Sequence, residues 1–468
     1  VTAFDATRAG VRPARRLGRW TPRALWGPRA ERPRIFLMLV LLAAAMPLRI
    51  PVPWPVVESV IGSVSILDLL LLVAAASLVP NLWRRRLDIG YRPLAVALAI
   101  PPLVAALSLL WSQDRIESLR TTLISVEGFV AYLFITRELE GLSAERVVAY
   151  LRRYAWLVIV PAVLLLLHVP GFGPYGSDYH TGYAVSYYAR LSHPVLGGSN
   201  NLATVLAILV PPLLYWGHSR RDWRATLAGL IAAMGIVCTL SRGVLAASVI
   251  AGVGYLALLP ISRRPRARRR PVPGKVLGKV LIGTLGLSAG AVALYRFNPP
   301  THEYISGRLS PDSILMRVEL YSEAAEKIGA RPFLGYGAGV VPYGDPAAPV
   351  DVHNTYVQQV LSFGLPLGVL VGVAIASLAV LFLLRRRVHP LAGPLGYAVL
   401  VEVVTFAFES SYEGTVLRVL FYLLLAMLAG LLRAATNETT AARSGLDGRS
   451  RSARTTTRSQ SISVSPSA

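Results

Sequence analysis

The chain has 468 residues and a formal charge of +23. It is 54% hydrophobic and only 16% charged, against about a quarter charged in soluble domains, so its repeated apolar runs exclude a string of soluble domains and indicate a multi-span membrane protein. Cys238 is the single cysteine, which excludes an intrachain disulfide and a cysteine metal cluster.

In chain order, residues 1–34 form a basic segment running from Arg8 to Arg34. The run Ile35–Met46 has the look of a signal-peptide core. Cleavage there is rejected, because the charged region before it is long and its removal would unbalance the topology. From there the sequence predicts an all-α integral membrane bundle of about 12 transmembrane helices. They are expected over 35–50, 57–79, 93–110, 118–136, 147–169, 199–216, 225–240, 243–260, 276–297, 354–384, 391–408 and 415–433. The segment 434–468, rich in Ser, Thr and Arg, has little to bury and is expected to be a disordered tail.

Charge gives the sidedness. Arg84–Arg86, Arg137–Arg153, Arg220–Arg224, Arg263–Arg270 and Arg385–Arg387 fall in alternate connections, on the same side as the N-terminus. This is the positive-inside pattern, so both termini are expected in the cytoplasm. Clusters in such places read as orientation in the lipid bilayer, and no nucleic-acid partner is expected.

The opposite side then holds the loop 170–198, the corner Thr239–Gly243, the connection around Trp111-Ser112, the long loop 298–353 and Glu409–Gly414. Tyr175, Tyr179, Tyr183, Tyr187 and Tyr188 in the first loop suit an interfacial aromatic belt, or a surface on which sugars stack. In the long loop, Ser310-Pro311 reads as an N-cap followed by proline at the first helical position. Ile314, Leu315, Val318, Tyr321, Ala325 and Ile328 follow at helical spacing, predicting an amphipathic helix along the outer face. Gly335, Gly337 and Gly339 read as flexible backbone; with no preceding strand they do not mark a dinucleotide site.

Arg190, Arg242, Arg308, Arg317 and Arg331 all fall on this side, where basic residues are scarce. A guanidinium fork suits phosphate oxygens, and several together would stabilise a diphosphate leaving group. Each also has a plainer role, as a headgroup anchor or a solvated surface charge. Histidine as a residue type suits proton transfer near neutral pH, so His353 reads as a proton acceptor or a hydrogen-bond donor. Alternatively Asp351, His353 or Asn354 simply caps the next helix. Glu409 and Glu413, flanking Tyr412, suit pairing with the arginines or acting as a base. There is no Asp-x-Asp pair, no His-Glu-x-x-His and no phosphate loop ending in Lys-Ser/Thr, so no metal, cofactor or ATP is expected.

With these residues in place, the chain resembles the O-antigen ligase and O-antigen polymerase family of bacterial membrane glycosyltransferases. The resemblance rests on Leu240-Ser241-Arg242-Gly243, Arg317–Tyr321, Arg331-Pro-Phe-Leu-Gly-Tyr-Gly337, His353-Asn354-Thr355-Tyr356 and Phe363-Gly364, in that order. Weaker echoes lie in Leu107–Ser112, Arg190-Leu191 and Asn201–Ala203. It implies a GT-C-like bundle over 35–433 with an extracytoplasmic loop at 298–353, in a bacterial inner membrane. It also implies metal-independent, inverting transfer of a glycan from a polyprenyl-diphosphate-linked donor to a glycan or lipid acceptor.

On that reading His353, Arg242 and Arg317 are the catalytic candidates. Arg190, Arg308, Arg331, Asn354 and Glu413 are the substrate-binding ones. A transporter or flippase of lipid-linked saccharide is the runner-up, and a scaffold subunit of a glycan-assembly complex is the third reading.

Overall fold

The computed structural model describes residues 34–46, 49–50, 64–83, 89–167, 191–193, 196, 199–258, 296, 312–340, 352–408 and 415–459. Its helices are α1 (Ile35–Ala45), α2 (Ile66–Trp83), α3 (Arg92–Ser108), α4 (Arg115–Glu138), α5 (Ala144–Leu166) and α6 (Ser199–Arg220). They continue with α7 (Trp223–Cys238), α8 (Arg242–Leu258), α9 (Asp312–Ala330), α10 (Thr355–Leu384), α11 (Ala392–Thr405) and α12 (Thr415–Ser459). Two short strands, Arg49–Ile50 and Val64–Ser65, pair antiparallel before α2.

Among the described residues, five helices are long and apolar enough to cross a membrane: α4, α5, α6, α10 and the Leu417–Ala441 part of α12. Six shorter apolar helices, in α1, α2, α3, α7, α8 and α11, lie where further spans were expected. Apart from Arg296, the expected span 276–297 lies outside the described residues, as does the tyrosine-rich stretch 170–190.

Side-chain oxygens close several helix starts. Asp114 accepts from Ile116 N and Glu117 N at 3.0 Å each, and Asp222 accepts from Arg224 N and Ala225 N. Each such cap removes amide donors that the first turn would otherwise leave unpaired. Small residues then let helices approach closely. Gly128 of α4 sits against the ring of Tyr422 on α12, whose hydroxyl donates to Leu98 O of α3 at 3.0 Å. Helices α6 and α7 form an antiparallel pair, with Gly229 against Leu214 and Gly235 against Leu206.

Two expectations change. First, α12 does not stop near 433 but runs as helix to Ser459. Its extension is held by packing: Ala434 and Ala435 are buried, and Glu438 accepts from Ala144 N at 2.8 Å and faces Arg220 at 3.6 Å.

Second, the apolar run 354–384 is not one straight span. Gly364 takes φ 75°, ψ 172°, and the two halves of α10 fold against each other. A Cβ on Gly368 would lie 2.5 Å from Val360 Cα, and one on Gly372 would lie 3.3 Å from Tyr356 Cδ1. In a straight helix those pairs would be roughly 12 and 24 Å apart. Residues 355–363 are therefore a half-helix antiparallel to 365–384. A straight 30-residue helix would be about 45 Å long, well beyond a hydrocarbon core of about 30 Å, and the reversal absorbs the excess.

The Gly-x-Gly-x-Gly segment is what docks at this reversal. Tyr336 N donates to Leu361 O at 3.0 Å, Gly337 N to Ser362 O at 2.8 Å and Leu365 N to Pro332 O at 2.7 Å. On its other side, Gln113 N donates to Tyr336 O at 3.0 Å and Trp111 Nε1 to Leu334 O. Ala338 N donates to Ser108 Oγ at 3.1 Å, while Ser118 Oγ donates to Ala338 O at 2.9 Å. The break opens carbonyls at 361 and 362 that would be orphaned within a membrane protein, and the inserted backbone satisfies them. The glycines are needed for contact, not for flexibility. A Cβ on Gly335 would lie 2.6 Å from Gly364 N, one on Gly337 2.6 Å from Ser112 Cβ, and one on Gly364 2.6 Å from Leu334 N.

Candidate functional site

The helix expected between Ser310 and Gly329 is present as α9, with Ser310-Pro311 outside the described residues. It does not simply lie over the bundle face. Leu320 and Ala324 are buried with Val352 and Leu361, and Ile328 and Val357 pack against them. The Arg317 end of α9 reaches α11, where Arg317 Nη1 donates to Phe408 O at 3.4 Å. The Ala330 end leads directly into the segment seated at Gly364.

The Thr405–Phe408 turn is a common reference point. Thr355 N donates to Phe406 O at 2.8 Å and Tyr356 Oη to Val403 O at 2.7 Å. His353 and Asn354 therefore start the half-helix beside the turn that Arg317 reaches. Helix α8 runs antiparallel to α11: the Tyr255 hydroxyl lies 2.7 Å from a Cβ on Gly393, and Tyr397 Oη donates to Ser248 O at 3.1 Å. Followed toward the start of α8, this antiparallel pairing carries Arg242 toward the C-terminal end of α11.

Three segments distant in sequence thus bring Arg317 and His353-Asn354 to the level of the Thr405–Phe408 turn, and Arg242 toward it. That level is recessed from the Gly364 reversal by the nine residues 355–363, about 13 Å of helix. His353 is accordingly not at the mouth of a span but at the inner end of a half-helix.

Local backbone sharpens the picture. Among the described residues, three that are not glycine have positive φ: Arg221, Leu240 at 53° and His353 at 52°. Two of these border the candidate site, in a region that costs a non-glycine residue about 1–3 kcal/mol and that gathers at functional positions. The Leu240 corner is held by Leu191 N donating to Cys238 O at 2.8 Å and Ser241 N donating to Thr239 Oγ1 at 3.3 Å. The Ser241 hydroxyl beside Arg242 is buried and makes no hydrogen bond among the described residues.

The remaining candidates separate. Asn354 Oδ1 accepts from Tyr356 N at 3.0 Å and Val357 N at 3.1 Å, so it is the cap of the half-helix. Arg331 lies past the far end of α9, with its guanidinium 5.2 Å from the centroid of the Tyr336 ring, a stacking contact at the docked segment rather than at the recessed level. Arg190, Arg308, Glu409 and Glu413 lie outside the described residues.

Two features were not singled out from sequence. His193 is fully buried beside the Leu240 corner, its Nδ1 accepts from Leu196 N at 3.2 Å, and burial pushes its imidazole down to about 3. Arg418 of α12 is 3% exposed and donates to Ser125 Oγ at 2.8 Å and Thr121 O at 3.2 Å. It lines a small polar space with Gln359 and Ser362. Arg418 and Glu402 are charged-type residues buried within α12 and α11, away from the arginines singled out in the sequence. Arg418 follows shortly on the 409–414 stretch, and in sequence nothing separates it from an interfacial anchor.

The architecture is that of a helical, multi-pass membrane protein. Residues 227–372 match the family model described as O-antigen ligase. The matched stretch runs from α7 into α10 and contains Arg242, Arg317, His353 and the Gly364 reversal. No curated protein matches the chain.

Proposed function

We propose that the protein is a bacterial inner-membrane glycosyltransferase that moves a glycan from a polyprenyl-diphosphate donor to an acceptor hydroxyl on the extracytoplasmic side, with both termini in the cytoplasm. The observation that supports this reading is that Arg317 and the His353-Asn354 start of the half-helix approach the Thr405–Phe408 turn, toward which the α8–α11 pairing also carries Arg242. A site set into the bundle suits a substrate whose diphosphate hangs from a lipid tail.

Arg242 and Arg317 hold the diphosphate and stabilise the charge it gains on leaving. His353 takes the proton of the acceptor hydroxyl as its oxygen bonds to the anomeric carbon and the carbon–diphosphate bond breaks. Attack opposite the leaving group inverts the anomeric centre. The energy comes from the diphosphate ester itself, so neither nucleotide nor metal enters the scheme. Ligation and polymerisation share this donor half and differ in the acceptor.

The test is single-turnover transfer from a lipid-diphosphate saccharide by the purified protein in bilayers. Loss of transfer in His353→Ala, with the donor still bound, is the expected result; unchanged transfer removes His353 from the scheme.

One observation favours the runner-up. Discontinuous helices with polar groups at depth are common in transporters, and α10 is such a helix. Transport predicts donor that crosses the bilayer chemically intact; transfer predicts release of polyprenyl diphosphate.

A further inference from the structure

The opposite, arginine-rich end of the bundle carries a cavity of about 600 Å³ between α3, α4, α10 and α12. Arg92, Arg385 and Arg433 line it with a single acidic residue, Glu140. Arg385 is held over the Tyr91 ring, 4.2 Å from its centroid, which fixes the guanidinium at the cavity wall. Tyr91 is the N-cap residue of α3 but supplies no side-chain cap bond, and Pro93 lies in the first turn, which faces this end. The Thr136 hydroxyl, on a side chain 5% exposed, also lines the cavity and has no hydrogen-bond partner among the described residues.

The cavity is not isolated. It shares Arg92, Pro93 and Leu381 with a second space of about 500 Å³ that runs between α3 and the second half of α10. Val96, Ile100 and Val373 help make that wall, which is almost wholly apolar. A cationic chamber with an unsatisfied hydroxyl thus opens into an apolar furrow directed along the helices. The two parts match the two ends of an amphiphile: a phosphate among arginines, and an acyl chain against Val, Ile and Leu.

We propose that this is a binding site for an anionic phospholipid, with the headgroup phosphate held by Arg92, Arg385 and Arg433 and one acyl chain in the α3–α10 furrow. The site joins α3, α10 and α12 on the far side of the same α10 whose half-helix carries His353. It does not depend on the chemistry at that other end.

The experiment compares thermal melts and native mass spectra of the full chain in detergent with phosphatidylglycerol, with phosphatidylcholine of the same acyl chains, and with glycerol phosphate alone. The lipid with the anionic headgroup is expected to raise the melting temperature and stay bound as a discrete adduct; the other two are not. Arg92→Gln combined with Arg433→Gln, both exposed side chains, should weaken phosphatidylglycerol binding by about tenfold or more. Val96→Trp, which fills the furrow from a lipid-facing position, should displace the lipid without removing the arginines. Equal stabilisation by both lipids, full substitution by glycerol phosphate, or undiminished binding in both variants would overturn the proposal.

Discussion

Two sets of residues carry the family likeness, and they do different work. Arg331–Gly337, Phe363-Gly364 and Trp111-Ser112 meet at the reversal of α10, where nearly every contact is backbone to backbone or backbone to a small hydroxyl. Arg317 and His353 approach the Thr405–Phe408 turn about 13 Å of helix away, with Arg242 carried toward it by α8, and there Leu240 and His353 have positive φ. One set builds the wall and the other occupies the recess. A short motif can therefore be equally prominent in sequence for shape or for chemistry, and only the contacts tell which.

The largest effect should come from filling the wall. Gly335→Ala and Gly364→Ala each add a Cβ against main-chain atoms at a positive φ, combining backbone strain with overpacking, roughly 3–5 kcal/mol. Monodisperse folded protein should largely disappear on fluorescence-detected size exclusion. Gly141 is the control: it too has positive φ (74°), but nothing lies within 4 Å of its added Cβ. Gly141→Ala should lose only the strain, about 1 kcal/mol, and stay folded. Equal behaviour of the three variants would erase the distinction drawn here.

Next in size are the recess residues. Arg242→Lys and His353→Ala should lower transfer on the order of 100-fold or more while melting within a few degrees of the parent. A collapse in melting temperature instead would move these residues into the wall.

His193 sharpens the boundary between the two. Its folded-state pKa is depressed by burial to about 3, so below pH 6.5 the unfolded chain binds the proton first. Stability should fall as pH drops through that window, by at most about 1.4 kcal/mol per pH unit, and level off near pH 3. His193→Gln should flatten the melting-temperature profile between pH 6.5 and 5. The smallest effect is expected for Asn354→Ala, which removes a cap worth about 1 kcal/mol and should loosen the half-helix before it alters donor binding.

Much of this was legible in the sequence, and the rest was hidden for physical reasons. Apolar runs located most of the described helices to within several residues, the start of α2, the end of α12 and the break in α10 excepted, and α9 was readable from its 3.6-residue spacing. Arg242, Arg317 and His353 stood out because charge is costly beside lipid. The reversal at Gly364 could not be read, because an apolar half-helix followed by an apolar span has the hydropathy of one long span. The seating of Gly335–Gly339 was equally silent: glycine marks both freedom and close approach, and the partners that decide between them, Ser108, Ser112 and Leu361, are distant in the chain or unremarkable in type. His193 and Arg418 gave no signal, since burial is a property of their neighbours. The helical continuation of α12 rests on contacts made by Glu438 with α5 and α6, which no local composition reveals.

The reversal in α10 also bears on how the chain is made. Nine residues of helix are too short to enter a bilayer as an independent span, and their carbonyls at 361 and 362 accept from Tyr336 N and Gly337 N. Insertion of 365–384 must therefore come first, with the preceding 355–363 drawn in afterwards as the 331–339 ribbon closes over it. Assembly of the chamber would be the last act of biogenesis, and nascent chains arrested before it should expose 331–363 to proteases while the flanking helices are already protected.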